Sequence, residues 1–298
     1  MTPQNSTIGI QPTGYRLPEA ARIGRVRLAV SDVSRSVAYY TEVLGFRADR
    51  DRDVAVLAAA DGSPLIELQE QDGVRPVPAR GRLGLYHFAI LLPDRAALGR
   101  FVTHLADVGA YAGSADHLVS EALYLADPDG LGIEVYADRP RAEWSTNGRE
   151  IAMATAPLNL RALVRTAAGE PWNGVPAGTT IGHVHFHVST LGAAEAFYHS
   201  ALGFDKVVWS YPGALFFSAG GYHHHVGTNT WAADAPIATA RDARLLEWEL
   251  RVPTANDIAA VAANAMQAGY PVSTAGADRV IADPSGFAVR LTTQRSNS

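Results

Sequence analysis

Cysteine is absent from this chain of 298 residues, and its absence removes several kinds of site at once. Disulfide bonds, thiolate zinc sites and a cysteine nucleophile are all excluded. Any metal must therefore be held by nitrogen and oxygen atoms, which leaves histidine, aspartate and glutamate as its protein ligands.

Long apolar runs and basic clusters are missing as well. No apolar run reaches the about 20 residues that a membrane-spanning helix needs, and residues 1–21 hold no signal-peptide core, so we expect a flexible N-terminal arm there. The net charge of -5 argues against nucleic-acid binding. We therefore expect a cytoplasmic protein that acts on a small molecule and binds neither nucleic acid nor membranes.

Two further motifs are not found. No G-x-x-x-x-G-K phosphate loop occurs, and no serine has the flanking glycines of a nucleophile elbow. The sequence thus indicates neither a phosphate-binding loop nor serine hydrolysis, and we predict no organic cofactor.

What the chain does contain is an internal repeat. The segment "IGRVRLAVSDVSRSVAYYTEVLGF" from Ile23 aligns with "IGHVHFHVSTLGAAEAFYHSALGF" from Ile181, and a second pair of segments begins at Tyr86 and Leu246. Each reads as a strand, a turn and an amphipathic helix, followed by short alternating runs typical of antiparallel strands. The chain therefore predicts four βαβββ modules, at about 22–72, 83–140, 180–231 and 243–294.

This pattern resembles the vicinal oxygen chelate superfamily. The resemblance implies an α+β fold in which βαβββ modules pair into two cup-shaped half-barrels. It predicts one two-module domain over residues 22–140, a connector over 141–179 and a second two-module domain over 180–295. In that superfamily the metal lies between two modules, and each module can offer one side chain from its first strand and one from its last.

Those positions are filled differently in the four modules. From the first to the fourth module, the pairs are Arg25 and Glu67, His87 and Glu134, His183 and His225, and Glu247 and Arg290. Arginine does not bind cations, so the first and fourth modules are degenerate as metal sites.

Two ligand sets remain open, and each combines two histidines with one carboxylate. The first is His87, Glu134 and His183 from modules two and three, and the second is His183, His225 and Glu247 from modules three and four. We prefer the first, because Arg290 would place a buried cation beside the metal of the second. Two imidazoles and one carboxylate are the set that leaves open positions on ferrous iron.

The segment "HLVSEALYLADPDGLGIE" resembles the signature of type I extradiol ring-cleaving dioxygenases. His117, Tyr124, the Asp-Pro-x-Gly turn at 127–130 and Glu134 all fall in place, whereas Ala115 departs from the family pattern. The resemblance implies Fe2+ as the metal, with Mn2+ left open, and a catechol-type aromatic diol and O2 as substrates. It also implies that Tyr124 and His117 contact a substrate oxygen or lie behind the ligands.

The triplet in "YHHHVG" supplies the remaining group that the resemblance requires, a histidine that accepts and donates protons. Alternation along a strand would place His223 and His225 on one face and His224 on the other. Since His225 aligns with Glu67, we predict that His225 faces the cup as the acid–base residue, beside His223, and that His224 packs outward.

The sequence therefore predicts an Fe2+-dependent extradiol dioxygenase of the catechol 2,3-type, active in aromatic catabolism, with a homo-oligomer left open. Two other functions remain. A metal-dependent lyase or isomerase of the glyoxalase type would favour a carboxylate as its base, and a metal-free small-molecule binding (resistance) protein would leave His87, Glu134 and His183 unexplained.

Overall fold

The fold is described by a computed structural model that covers residues 8–293. Two modules lie in the N-terminal half. The first contains β1 (Arg22–Val30), α1 (Val33–Glu42), β2 (Arg47–Asp51), β3 (Val54–Ala58) and β4 (Pro64–Glu70). The second contains β5 (Gly84–Leu91), α2 (Arg95–Asp107), β6 (Gly113–Asp116), β7 (Ser120–Ala126) and β8 (Gly132–Asp138).

The C-terminal half repeats this order after a connector. The connector holds β9 (Thr146–Asn147), β10 (Glu150–Ile151) and α3 (Leu160–Thr166). The third module contains β11 (Thr180–His187), α4 (Leu191–Ala194), which continues as a π-helical segment over Glu195–Ala201, then β12 (Asp205–Val208), β13 (Ala214–Ser218) and β14 (Val226–Asn229). The fourth contains β15 (Arg244–Val252), α5 (Ala255–Gln267), β16 (Val272–Ala275), β17 (Asp278–Ala282) and β18 (Ala288–Thr293).

The modules pair across the two halves of the chain. One eight-stranded sheet has the order β12-β13-β14-β11-β5-β8-β7-β6, and the other has the order β16-β17-β18-β15-β1-β4-β3-β2. The second and third modules thus share a sheet through the antiparallel β5–β11 pair, and the first and fourth share one through β1–β15. The predicted α+β fold of paired modules is confirmed, but each half-barrel takes one module from each side of the predicted division at 22–140 and 180–295.

The Asp-Pro-x-Gly turns fasten neighbouring modules. Asp127 accepts two backbone hydrogen bonds in its own turn and one from the Tyr40 hydroxyl, at 3.3 Å, on the helix of the first module. The equivalent Asp283 accepts a 2.5 Å bond from the Tyr198 hydroxyl of the third module. Both carboxyl groups are buried. This half of the motif therefore acts in packing between modules.

The N-terminal segment is not a flexible arm over residues 8–21. Ile10 pairs with Lys206 through two backbone hydrogen bonds of 2.8 and 2.9 Å, and the Leu17 side chain is buried in the core. Arg16 donates two hydrogen bonds, of 2.8 and 2.7 Å, to the buried carboxylate of Asp205. These contacts fix the segment against the third module, which its polar composition alone does not indicate. Residues 1–7 of the predicted arm lie outside the described residues.

Within residues 8–293, no helix has both the length and the apolar character needed to cross a membrane.

Candidate metal centre

Three buried side chains meet at the junction of modules two and three. His87 Nε2 lies 3.0 Å from Glu134 Oε2, His183 Nε2 lies 3.1 Å from the same oxygen, and the two nitrogens are 3.4 Å apart. Each side chain is at most 5% exposed. Among the described residues, no other cluster of three His, Asp or Glu side chains brings its ligand atoms within 4.8 Å of one another.

The sheet register explains why these residues converge. β5 and β11 run antiparallel at the centre of the sheet, and His87 lies opposite His185, two residues from His183. β8 runs parallel to β5 on its other side, where Glu134 pairs with Ala89, two residues from His87 on the same face of the strand. The equivalent first-strand positions of the repeat therefore meet across the sheet, and the last strand of the second module adds the carboxylate.

Electrostatics favours a charged carboxylate and a neutral imidazole in this cluster. Burial alone would raise the pKa of Glu134, but the adjacent His183 and His87 hold that pKa well below its usual range. Burial lowers the pKa of His183 to about 4, although the Glu134 charge opposes the shift. A neutral imidazole offers a nitrogen lone pair, and an ionised carboxylate offers oxygen lone pairs, so the cluster is prepared to bind a cation.

Aromatic side chains hold the two imidazole rings in place. The His183 ring lies 4.9 Å from the Tyr136 ring and 4.0 Å from the His224 ring, measured between centroids. The His87 ring lies 4.8 Å from the Tyr86 ring. The orientation of both imidazoles is therefore set by packing on the strands.

Tyr124 lies next to the three clustered residues, and His117 contacts Tyr124. Tyr124 lies opposite Glu134 in the β7–β8 pair, and its ring centroid is 5.6 Å from that of His87. The Tyr124 hydroxyl lies 2.5 Å from His117 Nε2, and His117 Nδ1 lies 2.8 Å from the Ala154 carbonyl oxygen. Burial and the Glu134 charge raise the pKa of Tyr124 well above its usual value, so it carries a hydroxyl group.

The histidine triplet is arranged differently from the prediction. His224 packs on His183 of the cluster, whereas the His225 ring lies between Phe204 and Tyr222, with centroids 6.2 and 5.0 Å away. His225 Nδ1 accepts a hydrogen bond from the Ala219 backbone amide. The prediction that His225 faces the cup and His224 packs outward is therefore wrong.

The cause is that strand alternation does not apply to the triplet. β14 begins only at Val226, and residues 222–225 precede it as an irregular segment. His223, expected beside His225, instead binds Asp138 Oδ1 at 2.8 Å through Nε2 and contacts His224 Nδ1 at 2.8 Å through Nδ1. His224 is the residue that the sequence reasoning missed.

The true counterpart of Glu134 in the third module is a glycine. The pairing of Val184 with Val226 matches that of Phe88 with Ile133, so the residue equivalent to Glu134 is Gly227, two positions after His225. The parallel register of the modules could have revealed this shift, but the sequence alone does not fix that register.

The alternative ligand set is not brought together. Glu247 belongs to the other sheet, where Arg290 binds it through two nitrogens at 2.7 and 2.9 Å, and Arg25 Nη1 lies 2.8 Å from Glu67 Oε2. Guanidinium groups thus neutralise the carboxylates of the second cup. The prediction that modules one and four are degenerate as metal sites agrees with these ion pairs.

Comparison with known proteins agrees with the fold. Residues 22–135 and 180–291 match the Glyoxalase/Bleomycin resistance protein/Dioxygenase superfamily, and the chain belongs to that family. Within it, the chain is 41% identical over 271 residues to a catechol-2,3-dioxygenase of Bacillus subtilis (strain 168), covering 89% of this chain and 95% of the relative. This similarity confirms the predicted extradiol dioxygenase group.

Solved structures show the same fold at low sequence identity. A putative dioxygenase from Bacillus subtilis subsp. subtilis str. 168 superposes with a TM-score of 0.64 at 13% identity, over 95% of this chain and 87% of that one. Glyoxalase I from Zea mays gives a TM-score of 0.51 at 16% identity, over 91% and 92% of the two chains. These similarities support the fold and the arrangement of the modules. They do not indicate which reaction the protein catalyses.

Proposed function

We propose that the protein is an Fe2+-dependent extradiol dioxygenase that cleaves a catechol-type aromatic diol with O2. The observation that carries the proposal is the buried cluster of His87, Glu134 and His183, with Tyr124 next to it. The catechol-2,3-dioxygenase relative, which is similar over nearly the whole chain, supports the same assignment.

The cluster fits a divalent cation by its spacing. Neighbouring ligands at about 2.1 Å from an octahedral ion are about 3.0 Å apart, and the three observed separations are 3.0, 3.1 and 3.4 Å. Two imidazoles and one carboxylate on one face are the donor set of ferrous oxygenases, which leaves the opposite positions for substrates. The same donors also accept Mn2+, so the choice of Fe2+ is part of the proposal.

In this proposal, the side chains around the cluster have separate roles. When bound, ferrous iron supplies adjacent sites for the diol and O2 and the electron transfer that ring cleavage requires. His87, Glu134 and His183 hold the ion, and the Tyr124 hydroxyl orients a substrate oxygen. We assign to His224, which packs against His183, the acceptance and return of a substrate proton, the role predicted from sequence for His225.

A glyoxalase-type lyase or isomerase is less well supported by this site. Such an enzyme would favour a carboxylate base, and the last-strand position facing Glu134 across the cup is Gly227, which has no side chain to offer. A metal-free binding protein is also disfavoured, because the buried Glu134 carboxylate would then lack a cation to compensate for its lost hydration.

The function is tested by reconstituting the protein with Fe2+ under anaerobic conditions and then adding catechol and air-saturated buffer. We expect O2 consumption that matches catechol consumption, together with the yellow product of ring fission beside the diol. Metal-free protein and protein loaded with Zn2+ serve as controls. Iron-loaded protein that consumes no O2 with catechol or simple alkylcatechols would overturn the proposal.

A further inference from the structure

The connector between the second and third modules reaches both edges of the sheet that carries the candidate metal centre. Its segment Glu150–Ala156, "EIAMATA", is here called the strap. The sheet that carries the metal ligands ends at β12 on one side and at β6 on the other. The strap contacts the last residue of β6 and the residues that follow β12, so it connects the two edges of this sheet.

On the β12 side, the strap is held by a buried carboxylate. Glu150 is 6% exposed, and its Oε1 accepts hydrogen bonds from the backbone amides of Trp209 and Ser210, at 2.5 and 2.6 Å. Thr155 Oγ1 lies 2.9 Å from the Tyr211 hydroxyl. A carboxylate that accepts two amide hydrogen bonds is a strong anchor, because hydrogen bonds to charged groups are roughly twice as strong as neutral ones.

On the β6 side, the strap is held through its backbone. Ala156 and Asp116 exchange two backbone hydrogen bonds of 2.9 Å each. One residue further along the β6–β7 turn, His117 Nδ1 lies 2.8 Å from the Ala154 carbonyl. The strap therefore reaches the residue pair, His117 and Tyr124, that stands next to the metal ligands.

The Ala154 carbonyl determines the protonation pattern of His117. A carbonyl oxygen can only accept, so the hydrogen of this bond belongs to His117 Nδ1. In the neutral imidazole, Nε2 then bears a lone pair and accepts the hydrogen of the Tyr124 hydroxyl, 2.5 Å away. The Tyr124 hydrogen is then used by His117, although the Glu134 carboxylate, opposite Tyr124 in the β7–β8 pair, is also within hydrogen-bonding reach of the hydroxyl.

We propose that the strap is a positioning element that keeps the Glu134 carboxylate free for the metal. If His117 carried its hydrogen on Nε2, the Tyr124 hydroxyl would be released to donate to Glu134 and would compete with the metal for the carboxylate lone pairs. With the hydrogen bond running from Tyr124 to His117, the Tyr124 oxygen can instead accept a hydrogen bond from a substrate hydroxyl. This last step depends on the proposed function, whereas the effect on metal binding does not.

The proposal is tested by loosening the strap at its β12 anchor. Glu150→Gln removes the charged acceptor, and Tyr211→Phe removes only the hydroxyl that contacts Thr155, which provides a second variant should the first fail to fold. Glu143→Gln, at an exposed carboxylate of the same connector, is the matched control. Amide hydrogen exchange over residues 152–156 verifies the loosening, nitrogen-15 NMR of His117 in metal-free protein reports its tautomer, and competition with a chelator reports Fe2+ affinity.

We expect a single Nδ1–H tautomer of His117 in the wild-type protein and in Glu143→Gln. In the loosened variants, we expect faster exchange over the strap, a mixture of tautomers and Fe2+ affinity lower by about tenfold, the lower end of the usual effect of residues behind metal ligands. A wild-type Nε2–H tautomer, unchanged strap exchange in both variants, or faster exchange with unchanged tautomer and affinity would each overturn the proposal. None of these measurements requires turnover, so they remain decisive even if catechol is not the substrate.

Discussion

Gly227 lies directly beneath the imidazole of His185: a Cβ atom at residue 227 would be 2.9 Å from both Cγ and Nδ1 of that ring. The His185 ring in turn lies 5.0 Å from the ring of the ligand His87 and accepts a 3.0 Å hydrogen bond from Asn229 Nδ2. Because Gly227, at the position equivalent to Glu134, has no side chain, the ring of His185 from the neighbouring strand occupies the space next to it.

Gly227→Ala should therefore disturb the metal centre without touching a ligand. The added methyl group would displace the His185 ring, which cannot rotate away without breaking its hydrogen bond with Asn229. We therefore expect a loss of stability of about 1–3 kcal/mol and weaker Fe2+ binding. Chemical denaturation and iron analysis measure the two effects. Gly192→Ala is the control, because a Cβ there meets no atom within 4 Å. Equal stability and iron content in both variants would contradict this account of the glycine.

The choice between the two cups is tested by matched substitutions of glutamate. Glu134→Gln removes the only carboxylate among the three clustered residues, and we expect Fe2+ affinity to fall by more than about tenfold. Glu247→Gln weakens an ion pair with Arg290 in the other sheet and should leave the iron content unchanged. Iron analysis after anaerobic loading shows which of the two cups binds the metal. Loss of iron from the Glu247 variant alone would place the metal in the second cup.

The corrected assignment within the histidine triplet makes a kinetic prediction. His224→Phe keeps an aromatic ring against His183 but removes the group that carries a proton, so kcat should fall by about 10²–10⁴-fold while iron stays bound. His225→Phe, with its ring between Phe204 and Tyr222, should retain most of the activity. Steady-state rates at equal iron loading compare the two, and the reverse order of effects would restore His225 as the proton carrier.

The pH dependence of stability should depend on Asp127. Burial raises the pKa of this carboxyl group to about 7, above the ordinary value of about 4. The folded protein therefore binds a proton here more tightly than the unfolded chain. This contribution to stability is complete below about pH 4 and is lost as the pH rises through about 7.

Asp127→Asn should remove this part of the pH dependence, because the amide stays neutral and its oxygen can still accept the turn's backbone hydrogen bonds. Denaturation curves of the metal-free protein between pH 5 and pH 8 provide the measurement. We expect a smaller decrease in the free energy of unfolding for the variant than for the wild-type protein. Parallel pH profiles would show that Asp127 does not titrate as burial implies.

The four modules and the three residues that cluster, His87, Glu134 and His183, could be predicted because both follow from repetition. His87 and His183 hold equivalent positions in aligned first strands, and Glu134 ends a motif with several fixed points, so local pattern was sufficient. The pairing of modules two and three was favoured by where usable ligands occur, and the sheet has that pairing.

The errors arose where tertiary structure overrides local pattern. The assignment of His225 assumed a strand that begins only at Val226, and a register that places Gly227 at the ligand position. The N-terminal segment is held by contacts between residues more than a hundred positions apart, such as Arg16 with Asp205. The strap is likewise held by residues outside its own segment, such as Trp209. The pattern of residues within these segments does not indicate which distant residues they contact.

The proposed dioxygenase activity is tested most directly by following the two oxygen atoms of O2 into the product. Iron-loaded protein is given catechol under oxygen-18 gas, and the ring-fission product is trapped quickly and analysed by mass spectrometry. An extradiol dioxygenase site at His87, Glu134 and His183 predicts that both atoms of one O2 molecule enter each molecule of product. A product that contains no oxygen-18, or an intact aromatic ring after prolonged incubation, would contradict the account.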